Sequence, residues 1–124
     1  MTSTEICKAL FAAFEAGDET RVRELLAPDV RVQQNNNPPM DLDTLLGFAR
    51  AVLAVVSDFR YEDAVRSATA TGFVEEHRVR GVLPDGSPLD LAVCVVADLR
   101  DGRVVDLREY LDTGAAAGLI AALG

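Results

Sequence analysis

The chain has 124 residues, of which 20 are acidic and 12 basic, and it carries a net charge of −8 at pH 7. This charge argues against binding to nucleic-acid backbones or anionic membrane surfaces, because their phosphates would repel it. With 49% hydrophobic and 26% charged residues, the composition is that of a globular protein. The length supports one hydrophobic core, so a single domain over residues 1–124 is predicted.

The predicted cellular location follows from what the sequence does not contain. No apolar run approaches the roughly 20 residues of a membrane span. The first residues, Met-Thr-Ser-Thr-Glu, have neither the basic nor the apolar region of a secretion signal. Cys7 and Cys94 lie far apart in apolar contexts and are predicted to be free thiols. These features predict a cytoplasmic protein.

Two helices are predicted at the start of the chain. The run Thr2–Glu5 has the pattern of a capping box, and apolar residues at helical spacing follow it as far as Gly17, a natural C-terminal cap. Asp18 can cap a second, short helix over Glu19–Leu26, which Pro28 would end.

A strand and a third helix come next. The short strand Val30–Gln34 precedes a segment rich in Asn and Pro, residues 35–39, that cannot form regular structure. A helix is predicted to start at Asp41 or Asp43, because apolar side chains then recur on a wide stripe as far as Val56.

From about Phe59 the apolar pattern changes to the alternation that is typical of β-strands. The strands that it predicts are Arg60–Ala68, Phe73–Leu83, Leu89–Leu99 and Arg103–Asp112. Turn residues separate them, and Asp101-Gly102 between the last two is a strong hairpin signal. Three helices followed by an antiparallel meander indicate an α+β fold. The apolar tail Ala115–Leu123 is predicted to form a short docking helix.

The segment Leu89–Leu99 is apolar on both faces, with Leu91 and Val93 on one face and Ala92 and Cys94 on the other. A strand with two apolar faces must be covered on both sides. Helices can cover only one of them. The sequence therefore predicts a homodimer that pairs through the outer face of the sheet.

Glu109 is the candidate catalytic residue. In the last strand, alternation places it on one face with Val105, Leu107 and Leu111, so a single carboxylate lies on an otherwise apolar surface. A carboxylate removed from water needs a partner, a raised pKa or both. Such a group is suited to act as an acid or a base.

Arg78 is the predicted partner of Glu109. On Phe73–Leu83 we expect Arg78 and Arg80 to point to the same side as Glu109, and His77 to lie on the outer face. Two strand spacings, about 10 Å, separate the backbones, and an arginine and a glutamate can span that gap. Arg78–Glu109 could equally be a structural ion pair, and a one-residue bulge would turn Glu109 outward.

The remaining candidate site residues surround this pair. Gln34 and Asn35, near a strand end, could position water or a ligand, while Leu91, Val93 and Leu107 would form an apolar wall. No His, Cys or carboxylate cluster has the spacing of a metal site, and no Gly-rich phosphate loop is present, so neither metal nor cofactor is expected. A small, apolar metabolite is the expected partner.

Two segments resemble a known family. Phe11–Asp18, which reads FAAFEAGD, and the following LLAPDVRVQ resemble the opening of the SnoaL-like, ketosteroid-isomerase-like branch of the nuclear-transport-factor-2-like superfamily. Residues 85–112 resemble its closing hairpin. The resemblance implies a curved sheet wrapped by three helices into a cone that admits an apolar ligand, and dimers are common in the family.

Within that superfamily, local motifs resemble those of limonene-epoxide-hydrolase-like enzymes. The matching segments are Gln34-Asn35 before Pro38-Pro39, Arg78-Val79-Arg80 and Leu107-Arg108-Glu109. The resemblance would make Asn35 a water-orienting amide, Arg78 the bridging cation and Glu109 the base. Arg80, however, stands where those enzymes have the acid that protonates the epoxide. Gln33 or Val32 replaces their water-binding tyrosine.

The steroid-isomerase pattern matches less well, because its base falls near Gln34 and its oxyanion-hole tyrosine near Leu10. The leading hypothesis is an isomerase, cyclase or hydrolase in which Glu109 is the acid or base, Arg78 orients it and Arg80 binds a substrate oxygen. The alternatives are a ligand-binding or protein-interaction module of the same fold, or an accessory subunit that docks through its outer sheet.

Overall fold

The computed structural model describes all 124 residues as four helices and one five-stranded sheet. In chain order the elements are α1 (Ser3–Ala16), α2 (Glu19–Leu25), β1 (Leu26–Gln34), α3 (Leu42–Val55), β2 (Ser57–Ala68), β3 (Gly72–Val82), β4 (Pro88–Arg100), β5 (Arg103–Leu111) and α4 (Ala117–Leu123). The α+β architecture with three N-terminal helices on a curved sheet is confirmed, and the tail forms the fourth helix. No helix is both long and apolar enough to cross a membrane.

The helices begin and end where side chains satisfy their free backbone groups. Thr2 and Glu5 form a reciprocal capping box at the start of α1, and Gly17 ends it with a φ of 68°. The side chains of Asp18 and Asp41 accept from the backbone N–H groups that begin α2 and α3. These caps agree with the sequence predictions.

The end of α2 differs from the prediction. The helix stops at Leu25, and Pro28 lies inside β1 instead of ending the helix. Strand β1 is at the edge of the sheet, so a residue without an N–H is tolerated there. The register of β1 also shifts between Leu26 and Arg31, around Pro28.

The sheet has the strand order β1-β5-β4-β3-β2. Strands β2 to β5 form an antiparallel meander, as predicted, whereas β1 pairs in parallel with β5. This parallel pair places Gln34 directly beside Glu109. A close approach of β3 to β4 explains Gly72, where a Cβ atom would lie 2.0 Å from the Ala97 carbonyl oxygen.

The predicted faces of β3 are wrong. Phe73, Glu75, His77 and Val79 point towards the helices, and Arg78 and Arg80 point outwards. The register with β4 is decisive, because His77 lies opposite the buried Val93 and side chains of paired residues share a face. This arrangement buries a phenylalanine and a valine and leaves two guanidinium groups in contact with water.

On β5 the structure retains the predicted inward direction of Leu107 and Glu109. A register shift next to Leu99 makes Val104 the buried residue, whereas Val105 was predicted to be. The bulge therefore lies before Glu109 and does not turn its side chain outwards.

Candidate functional site

A cavity of about 430 Å³ lies between the concave face of the sheet and helices α1, α3 and α4. Of the 25 residues that line it, 18 are hydrophobic. Leu91, Val93 and Leu107, the predicted apolar wall, are among them. The volume is within the range of small-molecule sites, and a mostly apolar wall with a few polar groups is typical of them.

Glu109 lines this cavity from near the end of β5. Gln34 Nε2 donates a hydrogen bond to Glu109 Oε1 over 3.3 Å. No arginine, lysine or histidine lies within ion-pair distance of the carboxylate. Burial raises the pKa of Glu109, and His77 and the hydrogen bond from Gln34 oppose that rise only in part. The side chain is therefore a carboxyl group that holds its proton more tightly than usual.

Asn35 also lines the cavity, but its amide is mostly committed to the backbone. Its Nδ2 donates to the Leu111 carbonyl over 3.0 Å, and its Oδ1 accepts from the Leu111 N–H over 3.1 Å. One N–H of the amide remains for a ligand or water. Of the two amides, Gln34 is better placed for the predicted water-positioning role, because its amide oxygen and its second N–H have no protein partner.

Arg78 and Arg80 do not reach the cavity, so the predicted Arg78–Glu109 pair is wrong. On the outer face, Arg78 Nε lies 3.3 Å from Asp90 Oδ1. Arg80 is bracketed by three carboxylates, of which Asp63 is nearest at 3.1 Å. Arg80 is therefore not placed to bind a substrate oxygen in the cavity. No lysine or arginine is present in the cavity wall.

A further polar group in the cavity wall, His77, was predicted to lie on the outer face instead. Its Nδ1 lies 2.7 Å from Glu75 Oε2, and both side chains are 1% exposed. Arg66, on β2, donates from Nε to Glu75 Oε1 over 2.8 Å, and Cys7 Sγ lies 3.5 Å from the same oxygen. The opposite assignment of the two faces of β3 would have identified His77. In that assignment Phe73 and Val79 point inwards together with Glu75 and His77.

The two inward carboxyl groups are in opposite electrostatic environments. Burial raises the pKa of Glu75, but hydrogen bonds and charge from His77 and Arg66 outweigh it and bring the pKa below its usual value. Val95 on β4 lies between the two, opposite Glu75 on β3 and opposite Glu109 on β5. Glu109 has no such cation partner. Glu75 is thus held ionised, whereas Glu109 favours its neutral form.

Aromatic rings complete the wall around His77. The ring of Tyr61 lies 4.7 Å from that of His77 between centroids, and the ring of Phe11 lies 4.8 Å away. Burial, followed by the negative charge of Glu109, raises the pKa of the Tyr61 hydroxyl, so that it stays neutral and can donate a hydrogen bond. No group of three or more His, Cys, Asp or Glu side chains is arranged to hold a metal ion.

Comparison with known proteins identifies the family. A family model described as a SnoaL-like domain matches residues 7–107, which is most of the chain. A search of curated proteins finds no match.

Several solved structures have the same fold. One is a candidate polyketide cyclase from Xanthomonas campestris pv. campestris, with 23% identity over 98% of this chain and 96% of the other and a TM-score of 0.82. IdmH, a candidate polyketide cyclase from Streptomyces antibioticus, has 24% identity over 100% of this chain and 99% of its own, with a TM-score of 0.77. An LEH-like epoxide hydrolase from M. tuberculosis has 18% identity over 96% of this chain and 92% of its own, with a TM-score of 0.73. Identities this low show a shared fold alone.

Proposed function

Because the chain belongs to the SnoaL-like domain family, within the nuclear-transport-factor-2-like superfamily, we propose that it is an enzyme of isomerase, cyclase or hydrolase type. In this proposal Glu109 transfers a proton to or from a small, uncharged, largely apolar metabolite. The observation that carries the proposal is a buried carboxyl group in an apolar cavity, with a raised pKa and no cation partner.

The electrostatics of Glu109 suit general acid–base catalysis. An acid–base group works best when its pKa is close to the working pH, and burial moves the pKa of a carboxyl group in that direction. Gln34 fixes the carboxyl group through one oxygen and leaves the other for the substrate. Structural carboxylates, by contrast, are paired with cations, as Glu75 is with Arg66.

The cavity wall favours an uncharged substrate. Its polar residues are amides, hydroxyls, His77 and Glu109, and it has no lysine or arginine to neutralise a carboxylate or a phosphate. An anionic ligand would lose its water without gaining a charged partner, which is costly in an apolar site. A neutral ligand with one or two oxygen atoms would lose much less.

The test compares two matched variants, Glu109→Gln and Glu24→Gln. Glu24 is exposed on α2, away from the cavity and from the outer face of the sheet, so the same chemical change there controls for general effects. Mass spectrometry of the denatured protein first identifies the ligand that is carried through purification. We expect wild type and Glu24→Gln to convert this ligand or its precursor, and Glu109→Gln to bind it but lose roughly 10²-fold or more in kcat.

Three results would contradict the proposal. Normal turnover by Glu109→Gln would remove Glu109 from the reaction. A ligand that binds tightly but is never converted by the wild type would instead identify a ligand-binding module. A chain that carries no ligand and binds none would favour the protein-interaction alternative.

We also propose that two copies pair through the outer face of the sheet. Tyr110 is 49% exposed there and lies opposite Cys94 in the β4–β5 register, beside the exposed Ala92. We expect light scattering to report a dimer for the wild type and a monomer for Tyr110→Lys. Glu24→Lys, on α2 away from the sheet, is the control and should remain dimeric. A monomeric wild type would refute this arrangement.

A further inference from the structure

We propose that helix α4 is a lid on the cavity, and that a ligand enters and leaves when α4 moves away from the sheet about a hinge at Thr113-Gly114. This inference goes beyond the proposed function, because it concerns the path of the ligand and holds whether or not the ligand is converted. The two proposals can therefore fail separately.

The cavity is covered while α4 is in place. Leu91, Val93 and Leu107 line it on the sheet side, and all three are buried even though they face the cavity. The elements opposite the sheet shield them from solvent, and these elements are α1, α3 and the segment that follows β5. A ligand large enough to fill the cavity needs one of these elements to move.

Of these elements, α4 is the least firmly attached. Its seven residues are all alanine, glycine, leucine or isoleucine, so none of its side chains can form a hydrogen bond or an ion pair. No side chain caps its N-terminus, whereas Thr2 caps α1 and Asp41 caps α3. A helix this short is not stable on its own in water. Helix α4 therefore exists only while it is packed against the rest of the protein.

The packing that holds α4 in place is small and apolar. Leu119 is its one buried residue, and Ala116, just before the helix, is also buried. The helix packs against α3, and a Cβ atom at Gly118 would lie 2.8 Å from Leu83 Cδ1. Ile120 lines the cavity but is 55% exposed, so it lies where the cavity meets solvent. A segment held by so few buried side chains opens at a lower free energy than the whole protein unfolds.

The hinge comes directly after a fixed point of the chain. The side-chain amide of Asn35 bonds both the N–H and the carbonyl of Leu111, at the end of β5. Beyond this point Thr113 and Gly114 are exposed, and the Gly114 N–H donates to Asp112 Oδ1 over 2.8 Å. Glycine gives the backbone of this turn extra freedom. Rotation here moves α4 while β5 stays in place.

A lid of this kind controls the rates of binding more than the affinity. Leu119, Ile120 and Leu123 line the closed cavity, so a bound ligand contacts them and is shielded from water. Fixing α4 in the closed position leaves these contacts unchanged but removes the path to solvent. The association and dissociation rate constants should then fall together, and Kd should stay nearly constant.

The first arm of the test measures amide hydrogen exchange in the ligand-free protein. We expect the hydrogen-bonded amides of α4 to exchange at least roughly 10²-fold faster than those in the middle of α3. The exchange of α4 should hardly change in low concentrations of urea, because opening a lid exposes little surface. Amides of α4 and α3 that exchange at one rate, and respond to urea alike, would overturn the inference.

The second arm closes the lid with a disulfide in the double variant Leu83→Cys/Gly118→Cys. These positions are chosen because a side chain at Gly118 meets that of Leu83, and a disulfide needs such close neighbours. All proteins in this arm carry Cys94→Ala, because Cys94 is partly exposed, whereas Cys7 is fully buried. The probe is N-phenyl-1-naphthylamine, a neutral and apolar fluorophore, and its binding is followed by stopped-flow fluorescence. The reduced form of the same variant is the control.

We expect both rate constants of the oxidised variant to fall by roughly tenfold or more with little change in Kd, and dithiothreitol to restore them. Unchanged rate constants after oxidation would overturn the inference. A Kd that rises at an unchanged association rate would also overturn it, because α4 would then be a fixed part of the wall. A protein that binds no probe even when reduced would overturn it as well. If the double variant does not fold, hydrogen exchange in the wild type decides.

Discussion

Glu75 and Glu109 allow the same substitution to be made in two opposite environments on one face of the sheet. Glu75→Gln removes the charge that compensates Arg66, and breaking a buried ion pair from one side costs about 3–5 kcal/mol. Arg66 is 28% exposed and can regain water, so we expect the lower end, about 3 kcal/mol. For a chain of this length, that loss lowers the thermal midpoint by about 10 °C.

Glu109→Gln should have the opposite effect at pH 7. The carboxyl group has no cation partner to lose, and its charged form is disfavoured by burial. We therefore expect a free energy of unfolding equal to or above that of the wild type. The measurement is urea denaturation followed by circular dichroism. A loss for Glu109→Gln as large as that for Glu75→Gln would refute the assignment of opposite environments.

The pH dependence gives the same contrast with a definite sign. Since the pKa of Glu75 is lowered by folding, its stabilisation is present above the unfolded value of about 4.3 and is lost as the pH falls through the folded value. Since the pKa of Glu109 is raised, its contribution is present below about 4.3 and is lost as the pH rises through the folded value. The free energy of unfolding of the wild type should therefore fall relative to that of Glu109→Gln as the pH rises above about 4.3.

Three further substitutions test the packing around the site, each by urea denaturation. Asn35→Gly keeps the positive φ but removes two hydrogen bonds to Leu111, so the free energy of unfolding should fall by about 1–3 kcal/mol. No change would mean that these two hydrogen bonds are not formed. Gly72→Ala places a Cβ atom against the Ala97 carbonyl and should lower the free energy of unfolding by about 3 kcal/mol or more. A change as small as that of a surface substitution would contradict this close approach. Gly47→Ala, in the interior of α3 with open space around it, should stabilise the protein by about 0.5–1 kcal/mol, and a loss would contradict that space.

Local signals predicted most of the fold. The caps at Thr2, Gly17 and Asp18 depend on side chains that bond within a few residues, and the Asp101-Gly102 turn depends on two residues with positive φ. Such features are encoded where they occur, so a single sequence reveals them. The family and fold that the resemblance implied are also confirmed.

The two faces of β3 could not be assigned in the same way. Both alternating sets contain apolar and charged residues, so the pattern within the strand is close to symmetric. The choice depends on pairing with β4, where His77 meets Val93, and on the packing of β3 against α1. That one error moved Arg78 into the predicted site and kept His77 out of it. The inward direction of Glu109 was predicted correctly, because its strand is largely apolar on one face only.

The parallel pairing of β1 with β5 has a consequence for how the protein is made. β1 ends at Gln34 and its partner β5 begins only at Arg103, so every residue between them must be synthesised before the two strands can meet. Contacts between distant parts of a chain form slowly, because the loop between them must close first. Gln34 and Glu109 are on these two strands, so we expect their contact to form last. A ribosome-bound chain that ends before Arg103 would lack the strand that carries Glu109, so its cavity would be unfinished.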